Sequence, residues 1–257
     1  TFVLPSVSHL TLDFKTAVEC GMAVKEREIE DRMRGGELSA YQEATLRSMS
    51  RAMEALRIWH GRYLAYLRGR DPEIYRCLRQ VPFGKARNFR EAVQSVWFLF
   101  AFERLCGNWP GIGRLDEILG KYLRHDLETG ALTVEEAREI LAHFFIKGCE
   151  WIRSDAVPGS GDAQHYQNIV LGGRNAREED ITNEATYLIL DVIEELPIGD
   201  FPITVRLNRK TPEKLKQKLA AVIRHGGGIV AVYNEDIVLK AFERLGYERE
   251  EALGFAN

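Results

Sequence analysis

The sequence predicts an α/β fold in which a mainly helical region, residues 1–165, precedes a region of βα units, residues 166–257. Three observations carry this prediction. The first region has helix-capping motifs and apolar residues at helical spacing, the second has short β-branched runs between helices, and a polar, glycine-containing loop at 158–164 separates the two patterns. We therefore expect a core built by helices packing on strands.

Two helices of the first region are predicted from their start signals. Ser39 stands three residues before Gln42, the spacing of a capping box, and the helix that it opens runs toward Leu67. Asp71 is a favourable N-cap, and Pro72 then occupies the first helical position, where its missing N–H costs nothing.

Two further helices are predicted from apolar spacing. Between residues 89 and 105 the apolar side chains recur mostly every three to five residues, which indicates an amphipathic or buried helix. Thr133 and Glu136 form a second capping box, and the apolar residues after it, through Trp151, share one helical face. That face is predicted to be core.

The second region alternates between strands and helices. We predict strands at 168–171, 203–207 and 229–233, and helices at 183–195, 212–225 and 236–245. Strands joined through helices pair in parallel by right-handed crossovers. The sequence therefore predicts a parallel sheet.

Composition excludes several classes of protein. Lys and Arg total 35 against 38 Asp and Glu, a formal net charge of -3 with the signs interspersed. This pattern does not call for nucleic acid or a membrane surface as partner. The longest apolar run, 96–102, is far shorter than the roughly 20 residues of a membrane span. Without a secretory signal in the sequence, we expect a cytoplasmic protein.

Cysteine and histidine spacing predicts neither a disulfide framework nor a metal site. The cysteines lack C-x-x-C spacing and stand in apolar or helical contexts, so we expect buried, reduced thiols. The histidines do not form H-x-x-x-H or H-E-x-x-H. The cysteines are Cys20, Cys77, Cys106 and Cys149.

Two glycine-rich segments admit a phosphate-binding interpretation. The glycines at 226–228 end a predicted helix and precede a strand, the reverse of a phosphate loop, so helix termination is favoured. Gly172 and Gly173 follow a strand and lead toward a helix, which leaves an anion site open. A tight turn is favoured there, because the full dinucleotide fingerprint is missing.

Gly113–Asp116 is the other polar motif of note. It follows a loop at 107–111, so Arg114 and Asp116 could point from a loop into a cavity, or could form a structural ion pair. From the residues alone neither interpretation is preferred.

Several short segments, taken in order along the chain, identify a family resemblance. They are Ser8-His9 with Asp13-Phe14; Gly113-Arg114-Leu115-Asp116 with Tyr122 and Asp126; N-I-V-L-G-G at 168–173; Asn183 with Tyr187 and Asp191; Pro202 with Val205-Arg206; Gly226 and Gly228 with Tyr233-Asn234-Glu235; and Gly246 with Glu250-Glu251-Ala252. Together they resemble the large domain of the pyruvate formate-lyase family, the glycyl radical enzymes that include lyases and dehydratases. The resemblance covers nearly the whole chain.

The resemblance implies a ten-stranded α/β barrel made of two half-barrels and wrapped in helices. This chain would supply outer helices, 1–165, and much of the first half-barrel, 166–257. In the family a Gly-Cys-x-Glu motif directly follows the segment that resembles residues 246–252. We therefore expect an internal fragment, with the catalytic cysteine and the radical glycine beyond this chain and no catalytic residue within it.

The family's mechanism is implied as well. No cofactor would be bound directly; a protein glycyl radical is installed by an activating enzyme that uses S-adenosylmethionine and an iron-sulfur cluster. The radical converts the loop cysteine to a thiyl, which abstracts hydrogen from a small substrate enclosed in the barrel. The expected partners are the substrate, the activating enzyme and a second copy of the chain in a homodimer.

By this resemblance four residues stand in the substrate pocket of the dehydratase-like branch; His9 and Asp116 match the relatives there, whereas Trp109 and Gly111 depart from them. His9 and Asp116 could hydrogen-bond a small substrate, or could belong to a structural network. Gly111 stands where many relatives have a substrate-contacting serine, and Trp109 adds bulk to the same loop. This departure argues against a glycerol-like or hydroxyproline-like substrate.

Two alternatives from other classes accompany this hypothesis. The chain could be a non-catalytic subunit or scaffold that kept part of the fold. It could also be an unrelated nucleotide-binding α/β domain, an alternative supported only by the βαβ pattern and Gly172-Gly173. A half-barrel alone would present an unpaired strand edge, so we expect residues 1–257 to aggregate or oligomerise when expressed alone.

Overall fold

Residues 10–105, 111–149, 167–196, 198, 201–226 and 228–255 are described by a computed structural model. The chain divides into two units, one of residues 13–102 and one of residues 1–12 with 103–257, here called the helical unit and the sheet unit. The sequence-predicted boundary at 165 falls outside the described residues and stays a prediction.

The helical unit is built from α1 (Phe14–Cys20), α2 (Met22–Arg34), α3 (Ala40–Leu67), α4 (Pro72–Gln80) and most of α5 (Phe89–Glu103). The capping box of α3 is confirmed: the Ser39 hydroxyl accepts from the Gln42 N–H, and the Gln42 side chain accepts from the Ser39 N–H at 2.9 Å. The Asp71 cap of α4 is confirmed too, since its carboxylate accepts from the N–H groups of Glu73 and Ile74.

Aromatic contacts close the core of the helical unit. The ring of Trp59 on α3 lies 4.5 Å from that of Phe98 on α5, and the buried His60 meets Phe98 edge-on at 5.4 Å. His60 Nε2 also lies 2.7 Å from the carbonyl oxygen of Leu78, so its polar atom is satisfied inside the core.

The sheet unit contains a parallel sheet of β1 (Ile169–Gly172), β2 (Ile203–Leu207) and β3 (Val230–Asn234) in that order. Ile169 pairs with Ile203, and Ile203 in turn pairs with Val230. The predicted strands and their parallel pairing are confirmed. Their connections run through α8 (Glu184–Glu195) and α9 (Glu213–Ile223), and α10 (Glu235–Arg244) with α11 (Arg249–Gly254) follow β3.

Two short extended segments continue the sheet beyond β1. Gly113 bridges Ile169 in parallel, with the Val170 N–H donating to the Gly113 carbonyl at 2.8 Å, and Thr11 bridges Gly111 in parallel. The Gly111 N–H donates to the carbonyl of Leu10 at 2.7 Å. Five chain segments thus run side by side in one direction.

The two ends of the sheet differ in cover. Every residue of β1 is buried, as expected for a parallel strand covered on both faces. The residues of β3 after Val230 are exposed, and among the described residues β3 pairs only with β2. The outer edge of β3 is therefore open.

Helix α6 (Leu115–Glu128) was not predicted from the sequence, because its first turn contains the polar motif that we assigned to a loop. Arg114 is its N-cap residue, and Asp116 lies in its first turn. Helix α7 (Val134–Gly148) begins at the predicted capping box of Thr133 and Glu136.

One prediction about the cysteines was wrong. Cys77 is buried, and burial raises the pKa of its thiol to about 12, but Cys20 is exposed and Cys149 is half-buried. Cys20 is the last residue of the short helix α1, where the apolar face turns away from it. Cys106 lies outside the described residues. Within the part of the chain that the structure describes, no helix combines the length and apolarity that crossing a membrane requires.

Candidate functional site

Polar side chains collect where the parallel segments of the sheet unit end. Arg114 follows the extended segment at 111–113, Arg174 follows β1, Arg206 and Asn208 stand at the end of β2, and Glu235 follows β3. The carboxyl ends of parallel strands meet at one edge of a sheet, the usual place for a binding site in α/β folds. We call Arg114, Asp116, Arg174, Arg206, Asn208 and Glu235 the carboxyl-edge cluster.

Glu235 is the carboxylate that joins the cluster together. It is 1% exposed, and its Oε2 accepts from Arg174 Nε and Asn208 Nδ2, each at 2.8 Å. Its Oε1 lies 2.8 Å from Arg206 Nη2 and accepts from the Arg174 N–H at 2.9 Å. Burial alone would raise the pKa of Glu235, but these donors outweigh burial and hold it below its usual value.

The glycine turn after β1 makes room for this carboxylate. Gly173 has a φ of +81°, and a Cβ atom on it would lie 2.6 Å from Glu235 Oε1 and 2.9 Å from Arg206 Cβ. Positive φ and this close approach both favour glycine. The tight-turn interpretation of Gly172-Gly173 agrees with this geometry.

Three arginines meet at the cluster, and each of them has a carboxylate partner. Arg174 also donates to Asp236 at 2.6 Å, and the Nε of Arg114 lies 3.4 Å from a carboxylate oxygen of Glu117. Burial lowers the pKa of Arg206, and the positive charge of Arg114 lowers it further, against the opposing influence of Glu235. The described ion pair of Arg114 is thus with Glu117 and not with Asp116.

Asp116 is fully buried at the start of α6. Its Oδ2 accepts from the Gly172 N–H at 2.8 Å and from the Thr186 hydroxyl at 2.7 Å, and its Oδ1 accepts from the Glu117 N–H at 2.9 Å. Burial raises the pKa of this carboxyl to about 6, although these hydrogen bonds oppose the rise. The contacts tie α6 to β1 and α8, as a structural network would.

The other predicted pocket residues are placed only in part. Gly111 lies in the extended segment that joins Leu10 to β1, whereas His9 and Trp109 lie outside the described residues. The pocket assignment of all four residues stays a prediction. Sequence reasoning missed Arg174 and Asn208, although Asn208 directly follows a predicted strand and Arg174 follows another within three residues, which is the signal that could have found them.

Metal binding has little support in the described ranges. There, no three His, Cys, Asp or Glu side chains are grouped so that they could hold a metal ion. What the carboxyl-edge cluster can do is fix main-chain groups and anions, since guanidinium groups donate in rigid forks. The carbonyls of Leu253 and Phe255 are among the main-chain groups that its arginines bind.

The sequence of this chain is similar to a family model and to known proteins. A family model described as pyruvate formate lyase-like matches residues 4–256. An isethionate sulfite-lyase of Oleidesulfovibrio alaskensis is 31% identical over 183 residues, which cover 68% of this chain and 22% of that protein.

Two solved structures share the fold. Hydroxyproline dehydratase from Clostridioides difficile, with trans-4-hydroxy-L-proline bound, matches with a TM-score of 0.86 and 26% identity over 95% of this chain and 34% of that one. A glycyl radical enzyme from Archaeoglobus fulgidus matches with a TM-score of 0.79 and 26% identity over 98% of this chain and 35% of its own. This chain thus spans between about a fifth and a third of these proteins, and it belongs to the pyruvate formate lyase-like family of glycyl radical enzymes.

Proposed function

We propose that this chain is part of a glycyl radical lyase or dehydratase that acts on a small organic substrate. The chemistry proposed is hydrogen abstraction by a cysteine thiyl radical, with the cysteine and the radical glycine in parts of the whole protein beyond this chain. The observation that carries the proposal is the set of five parallel segments ending in buried, paired charges, in a chain whose relatives are lyases and dehydratases.

The contribution of this chain would be half of a barrel wall. Five parallel segments are half of the ten strands that the family resemblance implies, and the open edge of β3 is where the next strand of the whole protein would pair. A closed wall serves radical chemistry, because it keeps oxygen and bulk water away from the reacting atoms.

Substrate contacts are proposed at His9, Trp109, Gly111 and Asp116. In support, the Gly111 N–H donates to the carbonyl of Leu10, which follows His9 in sequence. Asp116 would act chiefly by shaping the wall, since its oxygens already accept from Gly172, Thr186 and Glu117. Trp109 and Gly111 favour a substrate other than glycerol or hydroxyproline.

The proposed partners follow from the family. An activating enzyme with S-adenosylmethionine and an iron-sulfur cluster would install the glycyl radical, a second copy of the protein would complete a homodimer, and the setting would be the cytoplasm. The near-neutral net charge of this chain is compatible with each of these.

The test begins with the coding sequence after Asn257. We expect Gly-Cys-x-Glu there and a glycine-radical segment further on. The whole protein is then activated anaerobically, and its radical is measured by electron paramagnetic resonance. Turnover is assayed with isethionate, with trans-4-hydroxy-L-proline and with an aromatic compound larger than either.

A glycyl radical doublet is the expected result, with turnover of isethionate or of the aromatic compound and not of trans-4-hydroxy-L-proline. A stop codon in place of the cysteine motif, or a protein that forms no radical under conditions that activate a relative, would overturn the proposal. In that case the scaffold interpretation would replace it.

A further inference from the structure

The last described residues, Arg249–Phe255, form a segment that has an apolar anchor and a main-chain anchor, besides the surface ion pairs of Arg249. Its side chains pack on α10: Ala252 and Leu253 are buried against Leu239. The ring of Phe255 lies 4.9 Å from that of Phe242. This apolar anchor holds the segment to the helix that precedes it in sequence. We call Arg249–Phe255 the closing segment.

The second anchor acts on main-chain carbonyls. Arg114 Nη1 donates to the Leu253 carbonyl at 3.1 Å, and Arg206 Nη1 donates to the carbonyls of Phe255 at 3.1 Å and Leu253 at 3.4 Å. Carbonyls at the end of a helix have no partner within it, and cations there are favoured by the helix dipole. The two arginines therefore supply the hydrogen-bond donors that the last carbonyls of α11 cannot find within the helix.

Both guanidinium groups also bind partners outside the closing segment. Arg114 Nη2 donates to the carbonyls of Arg174 at 2.8 Å and Gly172 at 3.3 Å, and Arg206 is paired with Glu235 at 2.8 Å. Arg114 is 7% exposed, and the side chain of Arg206 is 13% exposed. Because these partners hold each guanidinium group, its remaining N–H donors have fixed directions. They therefore determine where the carbonyls of Leu253 and Phe255 lie.

We propose that Arg114 and Arg206 are positioning residues that fix the main chain at Leu253 and Phe255 against the carboxyl edge of the sheet. Through this segment they set the course of the chain that continues from it. The inference rests on the proposed function, in which that continuation leads directly to the catalytic cysteine. An error of about 1 Å in a reacting group can cost about 100-fold in rate, so such an anchor would matter to turnover.

The test uses the whole protein with Arg206→Lys, Arg206→Met and Arg114→Lys. The control is Arg249→Met, because Arg249 lies in the same segment but pairs with Glu178 and Glu243 at the surface. Radical yield, kcat, KM, thermal unfolding and hydrogen exchange of residues 249–255 are measured for each variant.

We expect radical yields within about twofold of the wild type, kcat reduced at least tenfold in the Arg206 variants, and KM little changed. Exchange of the closing segment should become faster in all three variants, with Arg206→Lys less affected than Arg206→Met. Arg249→Met should match the wild type in each measurement.

Three results would overturn the inference. One is unchanged exchange and kcat in the arginine variants. Another is a large rise in KM with kcat retained, which would assign the arginines to substrate binding. The third is loss of cooperative unfolding even in the lysine variants, which would assign them to general stability. If the wild type forms no radical, the proposed function fails, while the exchange measurement still decides the positioning role.

Discussion

A charged pair at the carboxyl edge of the sheet unit is buried, whereas a charged pair on α3 of the helical unit is exposed. Arg47 and Glu43 on α3 pair with 67% and 49% of their side chains exposed, whereas Arg174 and Glu235 pair with 6% and 1% exposed. Buried pairs are costly to desolvate and add little to stability over apolar packing. The sheet unit therefore keeps buried charges at its carboxyl edge, where apolar residues would serve stability as well.

The two units also differ in whether their secondary-structure elements are capped and covered. In the helical unit, α3 begins at the Ser39 capping box, and it packs on α5 through the contact between Trp59 and Phe98. The sheet unit leaves the faces and outer edge of β3 exposed, with Val232 and Tyr233 45% and 51% accessible. An open parallel edge invites pairing with another strand. This contrast supports the expectation that the chain associates when expressed alone.

The largest expected effect tests the buried charges. Glu235→Gln removes the negative charge between Arg174 and Arg206, which leaves buried cations without their shared partner, so we expect a loss of about 3 to 5 kcal/mol in the free energy of unfolding. Denaturant unfolding monitored by circular dichroism measures it.

The matched control is the same substitution in the helical unit. Glu43→Gln breaks an exposed pair on α3 and should cost less than about 1 kcal/mol. Equal losses at the two positions would show that burial does not distinguish the two pairs.

A second variant tests the glycine turn under the cluster. Gly173→Ala adds a Cβ atom 2.6 Å from Glu235 Oε1 at a residue with positive φ, and we expect a loss of roughly 3 kcal/mol. Gly226 also has positive φ, but a Cβ atom on it would meet nothing within 4 Å, so Gly226→Ala should cost only about 1 kcal/mol. The difference in midpoint between the two variants isolates the close approach.

The pH dependence of stability tests the burial of Asp116. Its pKa is raised to about 6 in the folded chain, so the stability that it contributes is present in acid and is lost as the pH rises through about 6. Relative to Asp116→Asn, the wild type should gain roughly 2 kcal/mol in free energy of unfolding between pH 7 and pH 4. Paired unfolding curves at the two pH values measure it; a constant difference would contradict the assignment.

The smallest expected effect tests the caps of the helical unit. Ser39→Ala removes the hydroxyl that accepts from the Gln42 N–H, and a loss of about 1 kcal/mol is expected. Thr133→Ala removes the corresponding cap of α7 in the sheet unit and should cost a similar amount. Thermal unfolding of both variants shows whether local capping contributes equally in the two units.

Most of the fold could be predicted from local signals in the sequence. The caps at Ser39, Asp71 and Thr133 and the three β-branched runs specify their elements because each signal acts within a few residues. Helix α6 was missed because its first turn has the polar composition of a loop, and two partners of Asp116 in that turn, Gly172 and Thr186, are distant in sequence. The exposure of Cys20 was missed because a seven-residue helix gives little periodicity to assign a face.

The sequence by itself determined the α/β class, the parallel order of the strands and the family resemblance, since these depend on periodicity, caps and motif order. Only the tertiary structure decided that Arg114, Arg174, Arg206 and Glu235 meet, and that two of the arginines bind the carbonyls of the closing segment. These residues are separated by up to 121 positions in sequence, from 114 to 235. Their meeting depends on parallel pairing in register, which brings the ends of distant strands to one edge.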